Sequence, residues 1–199
     1  MDSIMPVFKK SELYWIFFLM PVITCMLFAP SGIQAQSPGI TIDHFDGSVD
    51  KTMLNINATI SYHLSKETTE ALDHGVPLEF DIKLRIKKIR KWIWDETVTS
   101  GVVTYKIEYQ PLSNQYLVTG IQNGDIEQFQ NLEEVLQFIG KLKHYPLADI
   151  NMISPEHHYV AQIKSTLNIQ ALPAPLRPLA YLSSQWRLSS HWQSWAIQL

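Results

Sequence analysis

Alternation of apolar and polar residues with a period of two, held over whole segments, most restricts how this chain can fold. Across residues 54–64, Leu54, Ile56, Ala58, Ile60, Tyr62 and Leu64 fall on one side, and Asn55, Asn57, Thr59, Ser61 and His63 on the other. Successive side chains of a strand point to opposite faces, so this segment reads as a half-buried strand with one dry face. Phe80, Ile82, Leu84 and Ile86 repeat the pattern against Glu79, Asp81, Lys83, Arg85 and Lys87. Val103, Tyr105, Ile107 and Tyr109 repeat it again. Strands of this kind must bury one face against another layer, which points to stacked antiparallel sheets.

The residues between these runs supply turns and caps. Residues 40–45 read as a short first strand, ended by turn chemistry at Asp46-Gly47-Ser48. Ser65 suits an N-cap, residues 66–74 two helical turns, and Gly75 the C′ position, with Pro77 blocking continuation. The phase slips at Lys87-Lys88, and Ile89 and Trp92 resume it, so a β-bulge is expected at the two lysines. A turn over residues 111–114 leads to a strand over 116–121, and Asn123-Gly124 is a hairpin signal before a strand at 126–129. Asn131 caps a second helix over 132–142, with Glu134 placed for a capping box and Leu132, Val135, Leu136 and Ile139 as its buried stripe. Tyr159, Ala161, Ile163, Leu167 and Ile169 define the last long strand.

About seven strands and two short helices follow, with no strand–helix–strand rhythm. The expected architecture is mainly β: an antiparallel two-layer β-sandwich, immunoglobulin-like in outline, with two short helices and a Pro/Trp-rich C-terminal segment. An open sheet with both helices on one face is the alternative.

The 199 residues, 46% hydrophobic and 18% charged, fit one globular domain plus a targeting segment. Residues 1–35 have the layout of a signal peptide. Lys9 and Lys10 precede an apolar run over residues 14–28, and Ile33-Gln34-Ala35 offers a cleavage site. An uncleaved anchor made by residues 14–28 is the other reading, although fifteen residues are short for a span of about twenty. Residues 36–199 then form a single exported β-rich domain. The only cysteine, Cys25, lies in the signal-like segment, so that domain has neither a disulfide nor a thiolate. A net charge of −3 argues against nucleic-acid binding by the whole chain.

The C-terminal segment crowds Pro173, Pro175 and Pro178 before Trp186, Trp192 and Trp195. The prolines exclude a regular helix or central strand over 173–178, and each tryptophan carries about 200 Å² to be covered. Two readings stand. The segment is a structural seal in which Arg177 satisfies carbonyls or a carboxylate and the tryptophans close an open core or edge. Otherwise it is a Pro-rich ligand for a partner's groove.

Six of the sixteen Lys and Arg residues, Lys83, Arg85, Lys87, Lys88, Arg90 and Lys91, lead into Trp92 and Trp94. Such a basic–aromatic stripe would meet an anionic membrane surface or an acidic envelope protein. It is also the composition of the solvated face of an edge strand, with Glu79, Asp81, Asp95 and Glu96 bracketing it. The binding candidates are therefore Lys87, Lys88, Arg90, Trp92, Trp94, Arg177, Trp186, Trp192 and Trp195.

Catalytic signals are weak. Glu156-His157-His158 is the only histidine pair, and neighbours on a strand face opposite ways. His44 with Asp43 and Asp46, and His63 with His74, are surface or capping residues before they are ligands. Ser48-Val49-Asp50-Lys51 matches a bare Ser-x-x-Lys pattern but fills a turn, and adjacent Asp95-Glu96 sets no catalytic separation. The chain lacks the P-loop, the Rossmann fingerprint, HExxH and GxSxG, so no cofactor or metal is expected and no motif supports an enzymatic activity.

Three segments together carry a family resemblance. They are Ile60-Ser61-Tyr62-His63-Leu64-Ser65 through Gly75-Val76-Pro77-Leu78; Trp92, Trp94, Asp95-Glu96 and Gln115-Tyr116-Leu117-Val118; and residues 172–195 with their Leu-Pro-x-Pro-Leu-Arg-Pro core. Over about residues 40–195 the chain resembles an exported family of Gram-negative bacteria known as domain of unknown function 4390. The resemblance implies an exported protein with no assigned activity, whose relatives are encoded near a membrane histidine kinase. The expected function is a periplasmic, non-enzymatic interaction module of the cell envelope, linked to a membrane sensor kinase. A small-ligand or lipid-binding sandwich with the terminal tryptophans lining a pocket, and a hydrolase around His157, His158 and Glu156, are the alternatives.

Overall fold

A long hairpin opens the chain: β1 (Gly39–Asp50) pairs antiparallel with β2 (Met53–His63), from Gly39↔His63 to Asp50↔Met53. The computed structural model describes residues 37–90, 92 and 94–198. The signal-like segment with its alternative anchor and Cys25, together with Lys91, lies outside the described residues. Residues 37–199 form one compact unit. No helix among the described residues is long and apolar enough to cross a membrane.

The hairpin corrects the first expected turn. β1 runs straight through Asp46-Gly47-Ser48, which pair with Asn57, Ile56 and Asn55, and the chain reverses only at Lys51, with φ 55°. Two of these turn-type residues have a specific role inside the strand. Asp46 accepts from Asn57 Nδ2 at 3.0 Å, and Gly47 makes room for a tryptophan ring. After β2, Ser65 caps α1 (Lys66–Asp73) by accepting from Thr68 N–H, and Gly75 follows at φ 84°, as the cap chemistry predicts.

β3 (Leu78–Lys88), β4 (Glu96–Gln110), β5 (Gln115–Gly120) and β6 (Ile126–Phe129) form an antiparallel meander. The predicted irregularity near Lys87 is present but belongs to the neighbouring strand. β3 pairs with β8 (Tyr159–Leu167) in unbroken register, whereas its pairing with β4 jumps from Ile86↔Thr99 to Lys87↔Thr97. The extra residue is Val98, which packs against the core. Nor does the alternation resume beyond Lys88: Ile89 and Trp92 are exposed.

α2 (Leu132–Ile139) is capped by Asn131, which accepts from Glu134 N–H at 2.9 Å, and it ends earlier than the apolar pattern implies. Gly140 passes so close to β2 that a Cβ there would lie 2.2 Å from Ile60 O, so the chain turns directly into a strand. That strand, β7 (Lys141–Asp149), was not expected from the sequence, because Pro146 demotes the segment and two register shifts break its alternation. β7 is an edge strand, the position in a sheet that tolerates a proline.

Two sheets result, with orders β1-β2-β7 and β6-β5-β4-β3-β8-β9, the last strand being β9 (Gln193–Ala196). The described residues thus hold nine strands rather than seven, and three α-helices rather than two. Between the sheets lies one core, in which Leu54, Ile56, Phe80, Ile82, Leu84, Ile86 and Ile163 are fully buried. Each such side chain contributes about 1.5–3 kcal/mol by leaving water. Tyr62 of the small sheet meets Phe80 of the large one edge to face at 5.1 Å, and its hydroxyl is hydrogen-bonded to Ser165 Oγ at 3.0 Å. The architecture is the mainly β, two-layer antiparallel sandwich that the alternation required, not the open-sheet alternative.

The proline-rich connector stays irregular only to Leu176. α3 (Arg177–Leu182) begins at Arg177 with Pro178 in its first turn, where the missing N–H would have had no helical partner. Ile169, expected on β8, lies instead in a 3-10 turn at Ile169–Ala171. The last residues then return to the sheet: Leu167 N–H donates to Leu188 O, and β9 pairs with β8 from Val160↔Ala196 to Ile163↔Gln193.

Candidate functional site

Alternation on β3 places Lys83, Arg85 and Lys87 on the outer face of the large sheet, and Lys88 ends the strand. The bracketing acids satisfy part of this run: Lys87 pairs with Asp95 at 4.0 Å, and Arg90 pairs with Glu96. Arg85 is held by two residues of the C-terminal half, one of them braced by a third. Its Nε donates to Gln162 Oε1 at 2.9 Å, Gln162 Nε2 donates to Ser194 Oγ at 3.0 Å, and its guanidinium lies 3.7 Å from the centre of the Trp192 ring. Lys83 faces Lys164 across the strand pair, and neither forms an ion pair among the described residues.

Trp92 and Trp94, on the β3–β4 connection, are 95% and 89% exposed. Two other loops lie at the same end of the sandwich as this connection. Ile89 N–H donates to His158 O at 2.9 Å, and Ile150 N–H donates to Thr52 O at 2.6 Å. These bonds tie the β3–β4 connection and the β1–β2 turn to the segment between β7 and β8, so exposed Ile89, Met53 and Met152 lie at the same end of the sandwich as that connection.

The other two tryptophans of the C-terminal segment face inward. Trp186 and Trp195 pack against the core, and the same C-terminal segment buries Leu172, Ala180 and Leu188. Arg177 Nε donates to Leu172 O at 2.8 Å, a carbonyl rather than a carboxylate. None of the three clefts described below is lined by a tryptophan.

Glu156, His157 and His158 are exposed on the turn before β8 and line none of these clefts. His74 Nδ1 is hydrogen-bonded to Glu70 O, a capping role. Ser48 and Lys51 lie at the end of β1 and its turn, not at a helix start. No group of three His, Cys, Asp or Glu side chains among the described residues is placed to hold a metal.

A groove that sequence reasoning missed runs beside β7, where three depressions share Lys141 and Lys143. The first, about 460 Å³, is lined by Tyr105, Phe129, Phe138, Glu134 and Gln137 besides the lysines. The second, about 400 Å³, adds Val103, Gln122, Asn123, His144 and Tyr145. A third of similar size extends to His44, Asp46, Asn57 and Thr59. Phe138 joins the other two rings of the first, with Phe129–Phe138 centroids 5.1 Å apart and Tyr105–Phe138 6.2 Å apart. Burial pushes the Tyr105 phenol up, so it stays a neutral part of the floor. At the far end, the hydrogen bonds from Asn57 and then from His44 hold the Asp46 carboxyl below its usual range. The one sequence signal for this groove is the pair Lys141 and Lys143 around buried Leu142, a pattern hidden at the end of the expected helix.

No curated protein and no solved structure matches the chain. The family model of the domain of unknown function DUF4390 matches residues 37–196, and the chain belongs to that family.

Proposed function

We propose that this protein is a periplasmic, non-enzymatic interaction module of the cell envelope that docks on an anionic membrane surface through its β3–β4 end. The signal-like residues 1–35 would export it, or residues 14–28 would hold it at the inner membrane. The observation that carries the reading is the near-complete exposure of Trp92 and Trp94 on one connection, at the end of the sandwich where Ile89, Met53 and Met152 are also exposed. Indole rings are favoured at the headgroup level, where an apolar body and a polar N–H are both satisfied. Lys88 and Arg90 precede the rings in the chain, and each basic residue near an anionic surface adds about 1 kcal/mol. Asp95 and Glu96 offset two of the cations, so ring insertion outweighs charge.

The test is flotation of residues 36–199 with vesicles of phosphatidylglycerol or phosphatidylcholine, followed by tryptophan emission. Binding to the anionic vesicles with a blue shift is expected, and Trp92→Ala/Trp94→Ala should abolish both while leaving the fold intact. Equal flotation of the double variant, or none of the parent, sinks the membrane reading. An envelope protein such as a membrane sensor kinase then becomes the partner to test.

A further inference from the structure

We propose that the groove beside β7 is a binding site for a single-chain amphiphile with an anionic head. Its chain lies over Tyr105, Phe129 and Phe138, and its head sits between Lys141, Lys143 and His144. This site is separate from the β3–β4 end and does not depend on membrane docking.

The apolar floor is built but not covered. α2 turns Val135 and Ile139 into the core, whereas Phe138 stands off that stripe and remains 39% exposed. Phe138 nevertheless contacts rings from β4 and β6, so three elements converge on one patch of aromatic surface facing solvent. An occupant that removed this surface from water would gain roughly 25 cal/mol per Å² covered.

The cations are arranged for an anion. Lys141 and Lys143 lie two apart on an edge strand, with Leu142 turned inward between them, and neither forms an ion pair among the described residues. Like charges this close repel unless an opposite charge joins them. A β-bulge adds the third group. Between Ile56↔Tyr145 and Ala58↔Leu142, the two residues Lys143 and His144 stand opposite Asn57 alone. His144, a non-glycine at φ 50°, is pinned there by donating its backbone N–H to Asn57 Oδ1 at 3.0 Å. A bulge re-aims the side chains it carries, and a left-handed non-glycine residue persists only where its surroundings hold it.

Charge also sets the direction of binding. Both lysines line all three depressions; Glu134 lies in the aromatic one, the adjoining one adds His144 with no carboxylate, and Asp46, in the third, is already engaged by Asn57 and His44. An anionic head is therefore favoured toward His144, and the chain toward Phe138. Nearby amides do not read a polar ligand. The Gln122 side chain is occupied by Thr104 N–H and Val102 O, and that of Asn123 by Asp125. The groove selects an apolar body and a negative head rather than the hydroxyl pattern of a sugar. The two depressions each fall within the roughly 300–1,000 Å³ of small-ligand sites.

The experiment is calorimetric titration of residues 36–199 with laurate, dodecyl phosphate and neutral dodecyl maltoside, each below its micelle concentration. Saturable one-to-one binding of a dodecyl anion is expected, about tenfold or more tighter than the maltoside. The better of the two anions identifies the head as carboxylate or phosphate. Lys141→Gln/Lys143→Gln should weaken the anion by a similar factor, and Phe138→Ala should weaken all three ligands. Both sites are exposed enough for the fold to survive these changes, and Trp92→Ala/Trp94→Ala should leave binding unchanged. Absence of saturable anion binding, equal affinity for the maltoside, indifference to the lysine substitutions, or loss on removing Trp92 and Trp94 would each overturn the proposal.

Discussion

Trp195 lies against Gly47 so closely that a Cβ at position 47 would sit 2.8 Å from its ring Cζ3. β9 is an edge of the large sheet and β1 an edge of the small one, so this contact closes one side of the sandwich. The glycine is required by the approach of the ring, not by a turn. Gly47→Ala is expected to cost about 1–3 kcal/mol by overpacking, or roughly 2–4 °C of Tm per kcal/mol in a chain of this size. Urea denaturation of Gly47→Ala, Trp195→Leu and the double variant checks it. The double variant should recover part of the loss, and strict additivity would mean the two residues do not meet.

The basic run on β3 is divided between folding and exposure. Arg85 is tied to Trp192 and Gln162, so its charge serves the outer face of the sheet rather than a partner. A double-mutant cycle on Arg85→Ala and Trp192→Ala should give a coupling of about 0.5–1 kcal/mol, the range for a cation–π pair near solvent. A coupling near zero would leave Trp192 available for other work.

Much of this arrangement was legible in the alternation, and the rest was hidden for identifiable reasons. Leu54 to Tyr62, Phe80 to Ile86 and Tyr159 to Leu167 alternate cleanly because one face meets the core and the other meets water. β7 was illegible because Pro146 and the Lys143-His144 bulge break its period, and β9 because four mostly exposed residues carry no pattern. Gly47 reads as turn chemistry until Trp195, far along the chain, is seen to need the space. Beyond the Lys141 and Lys143 pair the groove left no trace in the sequence: Tyr105, Phe129, Phe138 and Lys141 come from four elements, and only the closing of α2 onto β5, β6 and β7 brings them together.

Alkaline pH should weaken the fold through its tyrosines. The Tyr116 phenol is pushed up to about 12, by loss of solvent first and then by its hydrogen bond to Asp73. Burial pushes Tyr62 further in the same direction. A phenol held protonated in the folded state contributes stability that is complete below about pH 10, its ordinary value, and is lost as pH rises through the folded value. Urea midpoints should therefore fall between pH 10 and 12, and less steeply in Tyr116→Phe. An equal slope in that variant would remove Tyr116 as a contributor.

The C-terminal segment decides between seal and partner motif when residues 186–199 are deleted. The deletion removes Leu188, which is 2% exposed, the core-packed rings of Trp186 and Trp195, and the whole of β9. It also strips Ser190, whose Oγ accepts from Ser165 N–H at 2.9 Å and whose N–H donates to Ser165 O at 2.9 Å. Each large apolar side chain lost is worth about 1.5–3 kcal/mol, and each buried polar group left unpaired costs about 1–3 kcal/mol. Together these losses rival the roughly 5–15 kcal/mol of net stability of an ordinary domain. The truncated chain is expected to lack a cooperative thermal transition by circular dichroism. A folded remainder with a sharp transition would return the segment to a partner's groove.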